Sequence, residues 1–184
     1  MNLLGTKTLQ TARLTLRPFR ADDAEEMFEN WANDPEVTRY MTWTPHGDVS
    51  LTKELCAQWE RAAASSFQWA IVYGETLIGS ISVIDVDEVQ ERGTIGYCIG
   101  KKWWGKGLMT EAVREVVRFM FEEVGLCRIS GSHAAPNIGS GRVMAKSGLR
   151  YEGTRRGHWK LPSTGERVDI VMRGMIKEDY FLQK

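Results

Sequence analysis

A strand that turns through closely spaced glycines into an amphipathic helix is compatible with few folds, and residues 94–112 of this chain, TIGYCIGKKWWGKGLMTEA, have that order. Thr94 to Ile99 is β-patterned, Gly100 to Gly107 is rich in glycine and lysine, and a helix is expected from near Thr110. That helix sets Val113, Val116, Val117, Met120 and Val124 on one stripe and is stopped by Gly125. Gly105 and Gly107, one residue apart, let the backbone turn tightly and present successive N–H groups. The helix N-terminus behind them carries about half a positive charge. Such a turn seats an anion, and a phosphate or pyrophosphate is its natural guest.

Spacing separates three readings of the turn. Gly100, Gly105 and Lys106 match a nucleotide-binding P-loop, but Gly107 stands where that loop needs Ser or Thr for Mg²⁺. A dinucleotide fingerprint needs glycine or alanine where Thr110 stands. The third reading fits better: Lys102-Trp103-Trp104-Gly105-Lys106-Gly107 is similar to the Arg/Gln-x-x-Gly-x-Gly/Ala loop of the GNAT N-acetyltransferases, with Lys102 where Arg or Gln is usual. A second segment, HAAPNIGSGRVMAKSGLRYEG from His133, resembles the family's strand-Asn-helix unit at Asn137, Ser140, Lys146, Gly148 and Leu149. The opening TARLTLRPFRADDAEEMFENWANDPEV resembles the branch of ribosomal-protein N-terminal acetyltransferases.

The resemblance implies a single α/β (α+β) GNAT-like domain over residues 1–184, with a central mixed, mostly antiparallel, twisted sheet and helices on both faces. It implies acetyl-CoA as cosubstrate and direct attack by a primary amine in a ternary complex. Backbone at Cys98, Ile99 and Gly100 would pair with the pantetheine arm, Trp104, Gly105, Lys106, Gly107 and Leu108 would cradle pyrophosphate, and Asn137 would bond the arm. Arg142 and Lys146 make the later helix locally basic, as lysines do the turn. Many relatives carry a tyrosine acid where this chain has Met144, so Ser140 is the best replacement for protonating the leaving thiolate. Asp169, a lone acid in the apolar run Val168 to Val171, is the candidate base. A free N-terminal amine, with a pKa near ~8, needs little more. Trp31, Asn33, Asp34, Trp43 and, more weakly, His133 fall in segments expected on the acceptor side. The acceptor is then a protein N-terminus, ribosomal-protein-like, or a small amine. A non-catalytic acyl-CoA-binding module is the alternative of a different class.

Composition narrows the rest. Lys plus Arg and Asp plus Glu each number 24, which argues against a general nucleic-acid binder. Cys56, Cys98 and Cys127 have no paired spacing and are read as small buried residues of a reducing cytoplasm. No apolar run approaches the ~18 residues of a membrane span, and the N-terminus lacks a signal-peptide core. His46 and His158 lack metal-ligand spacing, so no metal and no covalent acyl-enzyme are expected. Exposed apolar surface leaves room for a homodimer.

The remaining elements follow from periodicity and breakers. A first strand holds Leu14 and Leu16. A helix capped by Asp22 or Asp23 carries Met27 and Trp31, and one capped by Ser50 runs through Trp59. Residues 69–100 form a three-stranded meander turning first at Gly74-Glu75, and Cys127 to Ser132 is a strand. A short helix spans Ile138 to Lys146, and two last strands cover 149–156 and 167–176.

Overall fold

A computed structural model of the chain describes residues 1–182. Its centre is an eight-stranded sheet in the order β1-β2-β3-β4-β5-β6-β8-β7. The strands are β1 (Leu9–Gln10), β2 (Leu14–Pro18), β3 (Phe67–Tyr73), β4 (Thr76–Asp87), β5 (Arg92–Ile99), β6 (Arg128–Ala134), β7 (Arg150–Lys160) and β8 (Arg167–Ile176). Neighbours pair antiparallel except β5 and β6, which run parallel. A parallel pair needs a crossover, and the helix after the glycine turn provides it.

Helices cover both faces. Residues 21–32 form one irregular helical stretch that includes α1 (Ala24–Met27), followed by α2 (Pro35–Thr38) and α3 (Val49–Ala62). These pack Phe19, Met27, Trp31 and Cys56 against Ala70, Leu77 and Cys98. The other face carries α4 (Leu108–Phe119) and α5 (Ile138–Lys146), with α6 (Lys177–Leu182) closing the chain. Ala112, Val113, Val116, Val117 and Phe119 of α4 are at most 1% exposed, against Trp69, Ile71, Ile78 and Ile81 of the sheet. Each such aliphatic or aromatic burial contributes ~1.5–3 kcal/mol, so the helix behind the turn is anchored firmly. Alternation along β3 sends Trp69 and Ile71 to one core and Ala70 to the other.

Several local expectations are corrected. Asp48, not Ser50, caps α3, its carboxylate accepting the Ser50 N–H at 2.7 Å. The helix after the turn starts at Leu108, and its last turn, Met120–Val124, is π-wound before Gly125. Cys127 is exposed, its thiol 2.8 Å from Glu91 Oε2, while Cys56 and Cys98 are buried. The short β1, α2 and α6 were not foreseen. The β7–β8 hairpin is longer than expected and folds toward the first helices: Ser163 Oγ donates to the Arg39 carbonyl at 2.7 Å, and Leu161, Val168 and Ile170 pack with Tyr40.

Candidate active site

β5 and β6 pair over three residues, from Arg92 with Arg128 to Thr94 with Ser130. Beyond that they part, although β5 continues to Ile99 and β6 to Ala134. The result is a wedge-shaped gap in the middle of the sheet, opening at the carboxyl ends of two parallel strands, where α/β sheets place their ligands. Gly100 N–H donates to Ile78 O on the β4 side at 2.9 Å, so alternation turns the backbone of Ile99 and Tyr97 toward the gap. That edge can pair with an amide-bearing chain. Cys98 faces the opposite core, and burial pushes its thiol up to about 12, so it keeps its proton and is no nucleophile.

At the mouth of the gap, the chain passes Gly100 within packing distance of its neighbours. A Cβ there would lie 2.5 Å from Asn30 O and 2.6 Å from the Trp103 ring. Gly105 and Gly107 have φ of +74° and +76°, which other residues adopt at a cost of ~1–2 kcal/mol. Gly107 is the N-cap of α4 and no side chain caps the helix, so first-turn N–H groups face outward for an anion. Trp104 is 46% exposed, its indole N–H donating to Ile99 O at 2.8 Å, whereas Trp103 packs on the core. A depression of about 860 Å³ continues from Gly107 past Thr110 and Arg114 to Lys146 and Ser147, beside the end of α5. Its size and basic lining suit the nucleotide end of a CoA.

Two acids line this depression and the fold pairs both with arginines: Glu115 is held by Arg118, whose Nη2 lies 2.7 Å from its Oε1, and Glu111 by Arg13. Glu111, in the first turn of α4, accepts from Thr11 Oγ1 at 2.6 Å, Arg13 N at 2.9 Å and Arg13 Nε at 2.7 Å. Arg13 also donates to the Lys106 carbonyl at 3.1 Å, tying the β1–β2 turn to the glycine loop. Burial pushes the Glu111 carboxyl up, but the hydrogen bonds from Thr11 and Arg13 outweigh it and hold the group below its ordinary range. Sequence reasoning missed this clamp because nothing local links residues 98 and 100 positions apart.

Across the gap, Asn137 caps α5, its Oδ1 accepting the Ser140 N–H at 3.2 Å. Ser140 is half-buried, and Tyr97 Oη lies 3.1 Å from its Oγ and 2.9 Å from its carbonyl. Tyr97 lies in the strand that enters the glycine turn, and its alternation with Ile95 and Ile99 is the sequence signal for its inward placement. Met144 is core, 2% exposed. Arg142 and Lys146 are exposed on α5. His133 does not reach the acceptor side: it is buried under α5 with its ring against Gly141, Nδ1 near Ala134 O, and burial lowers its pKa.

The segments expected on the acceptor side, residues 33–46, meet the β7–β8 hairpin through Ser163 and the cluster around Tyr40. Asn33 is exposed, Asp34 caps α2 by accepting the Glu36 N–H at 2.8 Å, and half-buried Trp43 lies 5.1 Å from the His46 ring. Trp31 is 0% exposed and has no face to offer an acceptor. Asp169 lies at the β6–α5 corner: its carbonyl accepts from Ala135 N, and its Oδ1 accepts the Gly157 N–H at 2.7 Å in a β7 bulge.

Comparison with known proteins agrees with this geometry. Residues 13–150 match the family model described as the acetyltransferase (GNAT) domain. An uncharacterized N-acetyltransferase, p20 of Bacillus licheniformis, is 31% identical over 95% of this chain and 98% of its own length. The [ribosomal protein uS5]-alanine N-acetyltransferase of Escherichia coli is 34% identical over 47% of this chain and 43% of its own. The ribosomal-protein-S5-alanine acetyltransferase of Vibrio fischeri superposes with a TM-score of 0.82 at 20% identity, over 95% of this chain and 98% of that one, and shows the shared fold. The chain belongs to the GNAT acetyltransferases and is an N-acetyltransferase that uses acetyl-CoA.

Proposed function

We propose that the chain acetylates the α-amine of a protein N-terminus, with a small amine as the alternative acceptor, by direct attack on acetyl-CoA in a ternary complex. The parting of β5 and β6 beyond Thr94 and Ser130, beside an uncapped α4 N-terminus, carries this reading. The gap gives the pantetheine arm a backbone edge to pair with, and the glycine turn gives the pyrophosphate its donors. Asn137 holds the α5 end of the slot, Ser140 is the acid for the leaving sulfur, and Asp169 is the base, its carboxylate oriented by Gly157. The names of the uS5-alanine relatives support a ribosomal N-terminus. Three free cysteines suit a reducing cytoplasm, and no helix among the described residues is long and apolar enough to cross a membrane.

Thiol release from acetyl-CoA, measured against peptides with Ala, Ser or Met N-termini and against small amines, tests the assignment. Turnover with the peptides, reduced ~10²-fold in Ser140→Ala and Asp169→Asn, is expected. CoA binding without acetylation of any amine would instead identify an acyl-CoA-binding module.

A further inference from the structure

The position where many relatives carry a tyrosine acid holds Met144, and its thioether packs against Gly131 in the core. A serine hydroxyl alone is a poor substitute. It protonates a departing thiolate only if its oxygen is reprotonated in the same step, because an alkoxide is a much stronger base than a thiolate. The structure brings a phenol to the same turn of α5 from a different element. Tyr97 stands on β5 beside the gap, with Oη 3.1 Å from Ser140 Oγ and 2.9 Å from Ser140 O. At rest the phenol gives its one proton to the Ser140 carbonyl while the serine hydroxyl donates to Oη, and rotation about the Cζ–Oη bond turns that proton to Ser140 Oγ without moving the ring.

We propose that Tyr97 and Ser140 work as one proton-delivery pair at the sulfur of acetyl-CoA, an inference that rests on the acetyl-transfer role given to Ser140 above. As the C–S bond breaks and its electron pair stays on sulfur, the Ser140 proton passes to sulfur and the Tyr97 proton passes to Ser140 Oγ. CoA leaves as the thiol. The acylated nitrogen gives one proton to Asp169, the proposed base, which passes it to water, and the Tyr97 phenolate takes one from water. Burial pushes the phenol up to about 12, so it holds its proton at neutral pH, while the Ser140 hydrogen bond and the charge of Arg173 oppose that rise and favour the transient phenolate. Arg173 reaches this region because Gly131, its cross-strand partner on β6, has no side chain. Its Nη1 is held by Leu149 O at 3.2 Å.

Tyr97→Phe keeps the ring and removes only the hydroxyl. Single-turnover thiol release, with acetyl-CoA and the fastest wild-type amine of the panel, should fall ~10²-fold in this variant. The calorimetric Kd for CoA should stay within about threefold, since a positioning defect acts on the chemical step. The double variant Tyr97→Phe/Ser140→Ala should be no slower than the slower single, because the two act as a unit. Without any acetyl-CoA, carbon NMR of protein labelled at tyrosine Cζ should show five resonances, of which the one lost in Tyr97→Phe moves in Ser140→Ala. A wild-type rate in Tyr97→Phe beside a slow Ser140→Ala, multiplicative losses in the double variant, or a resonance unmoved by Ser140→Ala each overturns the pair. A wild-type rate in Ser140→Ala removes the serine acid itself, which separates that failure from this one.

Discussion

The wall of the cleft proposed to receive the cosubstrate, from Gly100 to Leu108 with the first turn of α5, is made largely of backbone. The facing wall, where residues 33–46 meet the β7–β8 hairpin, is made of side chains carried in from distant parts of the chain. Backbone donors at a glycine turn recognise any pyrophosphate and demand only that the chain pass at the right place. Side chains on loops recognise one acceptor and can be exchanged without disturbing the sheet. A family can therefore hold its cosubstrate constant while its acceptors vary, and each wall should respond to substitution in its own way.

The backbone wall should be the more brittle. Gly100→Ala puts a Cβ 2.5 Å from Asn30 O, a main-chain atom that cannot swing aside. Overpacking of this kind costs ~1–3 kcal/mol, so a ten- to hundredfold rise in the calorimetric Kd for CoA is expected, with a lower melting temperature. Arg13→Ala acts one step further back. It frees the Lys106 carbonyl and strips the Glu111 carboxylate of its cation, leaving it only the Thr11 hydroxyl and the residue-13 N–H, in the first turn of α4 where a pyrophosphate should sit. The Arg13 side chain is 43% exposed, so solvent screening limits the pair to about 1 kcal/mol, or roughly fivefold in KM for acetyl-CoA. kcat and the acceptor KM should not change, and a loss in kcat would show that the clamp does more than hold the loop.

The same division explains what could be read from the sequence. The glycine turn, the α4 stripe and the meander are local patterns, each declared within about twenty residues by periodicity and breakers, and they lie where expected. The resemblance set the glycine turn and Asn137 on neighbouring strands, but the parting of β5 from β6 beyond Thr94 and Ser130 was not foreseen. Contacts between distant residues were not legible. Tyr97 meets Ser140 across 43 positions, Thr11 meets Glu111 across 100, and Ser163 meets Arg39 across 124. Trp31 illustrates the opposite error: its segment borders the acceptor side, but helical phase turns this ring into the core. His133 was misplaced for the same reason, since strand alternation sends it beneath α5.

On the acceptor wall a smaller and more selective response is expected. Ser163→Ala removes one neutral hydrogen bond to the Arg39 carbonyl, worth ~0.5–1.5 kcal/mol. The hairpin should then swing more freely against residues 33–46, raising the acceptor KM two- to fivefold while the Kd for CoA stays the same. An equal rise in both constants would mean that the two walls are mechanically one.

The smallest effect compares a buried histidine behind each wall. His133 lies under α5 on the cosubstrate side, and His46 lies behind Trp43 on the acceptor side with Nδ1 2.7 Å from Thr52 Oγ1. Burial lowers both below the ordinary value of 6.5. Between the folded and unfolded pKa values the unfolded chain therefore binds protons that the native chain refuses. Stability is complete above pH 6.5 and declines as pH falls through the lowered folded values, so the melting temperature should drop progressively from pH 7 toward pH 5. His46→Gln and His133→Gln should each flatten that slope in part. Saturating CoA raises the stability of the whole domain whichever histidine titrates, so the walls separate through the affinity itself: if they are independent, any weakening of the CoA Kd between pH 7 and pH 5.5 is reduced in His133→Gln and unchanged in His46→Gln.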